Sequence, residues 1–395
     1  MLQQVISAIA DRKQHIVNFL KDIVSIPSYS CQESEVVQRI LDEMRRVGFD
    51  EVRADALGNA VGRIGNGPLT ILYDGHIDVV GIGDESAWTH PPFPATERDG
   101  RIMGRGSVDE KPAVACMVHA AAAARELGLL DGVTLWVVGS VMEEDCDGYP
   151  LMHLIEQEGV HPDFVVLGEP TDLNVYRGHR GRMEIVVRTR GRSAHGAHAH
   201  LGDNAIYRMA PVIQAVERLN DCLHEDDFLG KGSVTIAQIC STSPSLCSVA
   251  DSCEIYLDRR LTAGETPRSA LAELRQAVGE GPEIEVPMYE ATSWAGLEAR
   301  QEKTFPTWVL PASHPLVQAG VEAATEALGR PAVVGRWHFS TNGVATMGRL
   351  GIPSIGFAPG REELSHGTDE YVEIADLELA ARFYALFPSI LRKHI

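Results

Sequence analysis

The sequence predicts an α/β protein: a largely parallel sheet covered by helices, with a smaller α+β unit inserted into it. Three observations carry this. Short runs rich in β-branched residues alternate with segments of helical periodicity over the first part of the chain. After Gly178 the order becomes strand–helix–strand–strand–helix–strand, the ferredoxin-like pattern. After about Trp294 the helix–strand alternation returns. A chain of 395 residues is also too long for one ordinary core, so two domains are expected. The expected division is 1–180 for the first part of the large domain, 181–291 for the insert and 292–395 for the second part.

The elements follow in order. Ile16, Phe19, Leu20, Ile23 and Val24 recur at helical spacing, and Pro27 ends that helix. Val37, Ile40, Leu41 and Met44 mark a second helix, closed near Gly48. The run Leu69–Tyr73 reads as a buried strand, as do Val133–Val138 and Phe164–Leu167. An Ala-rich helix, Ala113–Leu127, separates the first two. The insert is read as a strand at Met183–Thr189, a helix at Ala205–Leu219, strands at Val234–Ile239 and Cys253–Arg260, a helix at Pro267–Val278 and a strand at Glu283–Val286. A helix at His314–Leu328 and a strand at Ile352–Phe357 complete the large domain.

Composition narrows the function. The apolar fraction is 44%, the charged fraction 23% and the formal net charge −20. The charge argues against nucleic acid as a partner, because no basic patch offsets it and phosphate contacts dominate such binding. The start of the chain lacks the pattern of a secretory leader, and no apolar run approaches the roughly 20 residues of a membrane span. Seven scattered cysteines read as free thiols in a reducing cytoplasm.

Chemistry concentrates just after the strands, where open α/β sheets bind ligands. His76 and Asp78 follow the first strand, Asp109 precedes the Ala-rich helix, Glu143 and Glu144 follow the second strand, Glu169 the third and His366 the last. Each is weak evidence singly: His-x-Asp is usually a polar turn, and a Glu-Glu pair usually solvated surface. Together they put imidazole and carboxylate at one sheet edge, a donor set that suits zinc. Two cations about 3.5–4 Å apart need a bridging carboxylate, and hydrolysis needs one carboxylate left over to move a proton.

The chain resembles the zinc aminoacylase and carboxypeptidase superfamily, which includes acetylornithine deacetylase and succinyl-diaminopimelate desuccinylase. The resemblance rests on Ile26-Pro27-Ser28 with Glu33, Gly75-His76-Ile77-Asp78, Gly104-Arg105-Gly106 with Asp109 and Lys111, and Glu143-Glu144. It continues through Gly168-Glu169-Pro170-Thr171, Gly191-Arg192-Ser193-Ala194-His195, Asp258-Arg259-Arg260-Leu261 and Ser365-His366-Gly367-Thr368-Asp369-Glu370.

It implies a zinc-peptidase-like catalytic domain with an inserted lid and dimerisation domain, and two divalent cations: zinc, with cobalt or manganese as alternatives. His76, Asp109 and Glu169 would hold one, and Asp109, Glu144 and His366 the other. Asp78 would orient His76, Glu143 would be the general base, and His195 would reach a partner subunit's site to stabilise the oxyanion. Arg260 would hold a substrate carboxylate.

Three stretches depart from the family pattern: Cys247-Ser248-Val249-Ala250, Glu110-Lys111-Pro112, and Asn342, where relatives carry Asp and a substrate contact is expected. The implied reaction is hydrolysis of the amide of a small N-acyl amino acid, acetyl or succinyl in type, through attack of a cation-bridging water in a homodimer or higher homo-oligomer. A dipeptidase or carboxypeptidase is the alternative; a carbamoyl-amide hydrolase or an inactive dimeric binding protein is more distant. The remaining histidines have plainer readings. His198 and His200 read as a polar loop, His179 as hinge or surface, and Trp337-His338 as packing.

Overall fold

A computed structural model describes residues 1–395. The large sheet runs in the order Glu51–Ala54, Ala60–Gly65, Val133–Ser140, Leu69–His76, Phe164–Leu167, Ser354–Gly356, Val175–His179, Trp308–Val309, with Val334–Trp337 also on Val175–His179. Its four central strands are parallel, and antiparallel strands flank them. Leu72, Tyr73, Val137, Val138, Val165 and Val166 are fully buried, as strands covered on both faces must be.

The Lys111–Glu126 helix is buried from Lys111 through Ala124, on all its sides. Its alanines make this possible, since small side chains let neighbouring elements approach closely. A Cβ on Gly75 would meet the Val114 side chain of this helix at 2.7 Å, so the strand that carries His76 needs glycine there. The helices Leu2–Ser25 and Ile374–Leu391 pack on the same side.

The insert forms a separate antiparallel sheet in the order Ser233–Thr242, Ser252–Leu261, Gly181–Arg190, Glu283–Glu285. Numbered within the insert this is 2-3-1-4, the ferredoxin-like arrangement expected from the pattern. Helices Ala205–Cys222 and Pro267–Val278 cover it. Its core of 15 residues, from Met183 to Leu274, is distinct from the 77-residue core of the large domain.

The junctions are more interleaved than the expected boundary at 291. The Met288–Thr292/Glu298–Glu302 hairpin already places Tyr289 and Ala299 in the large core. Thr304–Phe305 then pairs back onto the insert's Gly181–Arg190 strand. His179, expected at a hinge or surface, is wholly buried, with ring centroids 5.3 Å from Trp308 and 6.5 Å from Trp337.

Candidate active site

The carboxyl ends of the parallel strands deliver the donors. His76 closes the Leu69–His76 strand, Glu143 and Glu144 lie in the turn after Ser140, and Glu169 lies just past Leu167. Asp109 enters from the loop before the Lys111–Glu126 helix. His366 comes from the loop after the short Glu362–Leu364 turn, with its backbone in the left-handed region at φ 62°.

These residues converge. Asp109 lies between the two histidines, Oδ1 at 2.9 Å from His76 Nε2 and Oδ2 at 3.3 Å from His366 Nε2. Glu169 Oε1 is 3.9 Å from His76 Nε2, and Glu144 Oε2 is 3.0 Å from His366 Nε2. The ligand atoms of His76, Asp109 and Glu144 all lie within 4.8 Å of one another. So do those of His76, Glu110 and Glu169. Glu110 is a donor that sequence reasoning passed over; its adjacency to Asp109 was the available signal. Its carboxylate also accepts from the His76 backbone N–H.

A supporting layer fixes these groups. The His76 Nδ1 edge lies 3.0 Å from the Asp78 carbonyl and 3.6 Å from Asp78 Oδ1, which leaves Nε2 for a cation. The Asp78 carboxylate accepts from the backbone N–H groups of Glu143 and Glu144, both at 3.1 Å, and from the Ser30 hydroxyl at 2.7 Å. Glu33 accepts from the Met142 N–H at 3.1 Å. That turn needs holding, because Met142 has φ 60°, a region unfavourable for a residue with a Cβ. Glu370 accepts from the Val108 and Asp109 N–H groups and pairs with Arg105, which fixes the Asp109 loop.

The electrostatics are those of buried carboxylates crowded together. Burial, then Asp147, pushes Glu143 well above the usual carboxylate range. Burial, with Glu110 and Asp109, does the same to Glu169. Burial would raise Asp109 too, but hydrogen bonds from His366 and His76 hold it low. Donating to Asp109 and Glu144 lifts His366 to about 10. Glu143 Oε1 is buried with no hydrogen-bond partner. Hard and borderline donors, one imidazole at each end and Asp109 between them, fit divalent cations.

The donors open onto a cavity of about 330 Å³. Arg260, from the insert, lines it, its Nε and Nη2 held by Asp258 at 2.7 and 2.8 Å. Arg182, Asp147, Ser340 and Glu362 also line it; no sequence motif had marked them. Two expected residues lie elsewhere. Asn342 does not reach the cavity: it is 2% exposed. Its amide donates to Asp74 at 2.9 Å and Ser140 at 3.0 Å, and its carbonyl accepts from the Gly148 N–H at 2.9 Å. The expectation of a substrate contact there is corrected; an amide in place of a carboxylate serves an internal network of donors and acceptors. His195 is exposed on the insert, its Nδ1 accepting from the Ala197 N–H, and it does not line the cavity. The Cys247 carbonyl accepts from Gly196 N–H at 2.6 Å, so the loop that departs from the family pattern braces the His195 loop.

The family model described as "Peptidase family M20/M25/M40" matches residues 72–389, a stretch containing every donor from His76 to His366. The chain belongs to this peptidase family. It is a metal-dependent hydrolase of C–N bonds, with the M20 fold. Among its relatives is "Uncharacterized protein YgeY" of Escherichia coli K12, 47% identical over 382 residues, covering 96% of this chain and 94% of that protein. A "Succinyl-diaminopimelate desuccinylase" of Magnetococcus marinus is 27% identical over 380 residues, covering 93% and 96%. In fold, the M20 chain is similar to the crystal structure of the M20 family metallo-carboxypeptidase Sso-CP2 of Sulfolobus solfataricus. The TM-score is 0.75 at 17% identity, covering 95% of this chain and 99% of that one.

Proposed function

We propose that this M20 hydrolase removes the acyl group from a small N-acyl amino acid, with Glu143 as the general base. The observation that carries the reading is a buried, unpartnered Glu143 oxygen beside a carboxylate, Asp109, that lies between His76 and His366. The desuccinylase relative supports an acyl amino acid over a longer peptide.

Two divalent cations in these donor sets would polarise the scissile carbonyl and acidify a water molecule. Glu143 takes the proton of that water and delivers it to the leaving nitrogen. Asp78 holds both ends of the work, facing His76 and fixing the Glu143–Glu144 turn. Arg260 keeps Nη1 free while Asp258 occupies Nε and Nη2, so it can donate to a substrate carboxylate from a fixed position. His195, away from the cavity of its own chain, would complete the oxyanion site of a second copy, which makes the active form at least a dimer.

Glu143→Ala tests the reading on N-acetyl and N-succinyl amino acids, with dipeptides as the competing panel. Turnover should fall by about 10²–10⁴-fold while bound metal stays unchanged. Full activity in that variant, or hydrolysis confined to dipeptides, would reject it.

A further inference from the structure

The part of the cavity not occupied by metal donors is polar to an unusual degree. Phe339 is the one apolar residue on its wall. Three separate segments meet there: Arg182 from the first strand of the insert, Asp147 from beyond the Glu143–Glu144 turn, and Ser340 from the loop before Asn342. Arg182 Nη2 donates to Asp147 Oδ1 at 2.7 Å, and the Ser340 hydroxyl donates to Asp147 Oδ2. Arg182 Nη1 faces Glu184 at 3.3 Å, and the guanidinium carbon lies 4.4 Å from the centroid of the Phe305 ring. Its Nε is buried without an acceptor, and so is the nearby wall group Ser365 Oγ.

We propose that the Arg182–Asp147–Ser340 cluster reads the variable part of the substrate, so that this hydrolase prefers amino-acid derivatives with a small, polar, hydrogen-bonding side chain. The inference rests on the amide-hydrolase reading above and names its substrate class. Arg182 is fixed by two carboxylates and an aromatic face, so the part of it that meets the cavity is held in place. Asp147 and Ser340 add acceptor capacity beside it. A site built to hydrogen-bond its ligand rejects an analogue lacking those groups, because the site's own polar atoms are then left unpaired. An aliphatic or aromatic side chain would find only Phe339 to bury against. A volume of about 330 Å³, shared with the acyl group, keeps the ligand small. The competing account is that Arg182–Asp147 is only a strut between the insert and the large domain.

The test uses the metal-loaded enzyme with size-matched N-acetyl amino acids, asparagine and glutamine against leucine and methionine. Free amino acids serve as competitors and as thermal-shift ligands, so preference is read even from binding alone. Wild type should favour the polar pair by at least about tenfold in kcat/KM. Arg182→Met should bring that ratio close to one, mainly through KM for the polar substrates. Ser340→Ala, which spares the ion pair, should move it in the same direction by less. A wild-type preference for leucine or methionine would overturn the inference, as would equal losses on both substrate sets in both variants. If no amide is hydrolysed but polar amino acids still shift the melting temperature selectively, the reaction assignment fails and the recognition cluster stands.

Discussion

Asp78 has more partners than its place in the sequence suggests. Its place two residues after His76 predicted support for the imidazole, and it does face that ring. The structure adds that it accepts from the Glu143 and Glu144 N–H groups, which sit 65 and 66 residues later in the chain. Asp78→Ala should therefore damage more than a ligand's orientation. Metal affinity or activity should fall by about 10–100-fold, the usual cost of losing a support of this kind. The buried Glu143 N–H and the partly buried Glu144 N–H are also left without acceptors, at roughly 1–3 kcal/mol for the buried one. Metal titration together with urea unfolding checks both; a variant with intact affinity and stability would contradict the dual role. Glu110 and Arg182 are the converse case. Glu110 stands beside Asp109 and reads in the sequence only as a departure from the family pattern, and Arg182 carries no motif; what makes each important is its neighbours across the fold.

At the scale of elements, the strand ends were legible and the packing between elements was not. His179 closes the Val175–His179 strand, and the sequence reads it as hinge or surface. It is instead wedged beside two tryptophans, its Nδ1 2.9 Å from the Arg180 carbonyl. Burial pushes its pKa down to about 3. The folded-state value lies below the unfolded one, so the unfolded chain binds the extra proton. Stability is thus present above pH ~6.5 and lost as pH falls towards ~3, by at most about 1.4 kcal/mol per pH unit. His179→Phe should remove this component. Denaturant unfolding of both proteins between pH 7 and 4 checks it: the wild-type curve should fall more steeply, and parallel curves would contradict the assignment.

For the whole molecule, a net charge of −20 is partly explained by the site itself. Asp109, Glu110, Glu143, Glu144 and Glu169 share one region, four of them buried and Glu144 partly so. Chelation should therefore lower the melting temperature and abolish activity. Restoring zinc, cobalt or manganese should raise it, with about 2.7 kcal/mol regained at a free concentration a hundredfold above Kd. A melting temperature indifferent to chelator would count against cations in these donor sets.

Assembly gives a second test at this scale. Glu143→Ala and His195→Ala should each be inactive alone. Mixed and reassociated, they should recover part of the activity, since one site of each heterodimer would be intact. No recovery on mixing, or a fully active monomer by sedimentation, would reject a partner's contribution. No helix is long and apolar enough to cross a membrane.

The sequence by itself determined the sheet, the ferredoxin-like insert and the imidazoles and carboxylates gathered at the strand ends. Periodicity is local, and in an α/β sheet the residues that follow the strands are brought to one edge whatever the rest of the chain does. Only the tertiary structure decided where Asn342, His195, Arg182 and His179 stand. Asn342 lies beside donors and acceptors from three other segments, and they take up its amide before a substrate could. His195 lies on a loop whose position depends on how the insert sits. Arg182 becomes a recognition group only because Asp147 and Ser340 arrive from elsewhere. Burial and partnership are properties of segments meeting, and a pattern along one segment does not contain them.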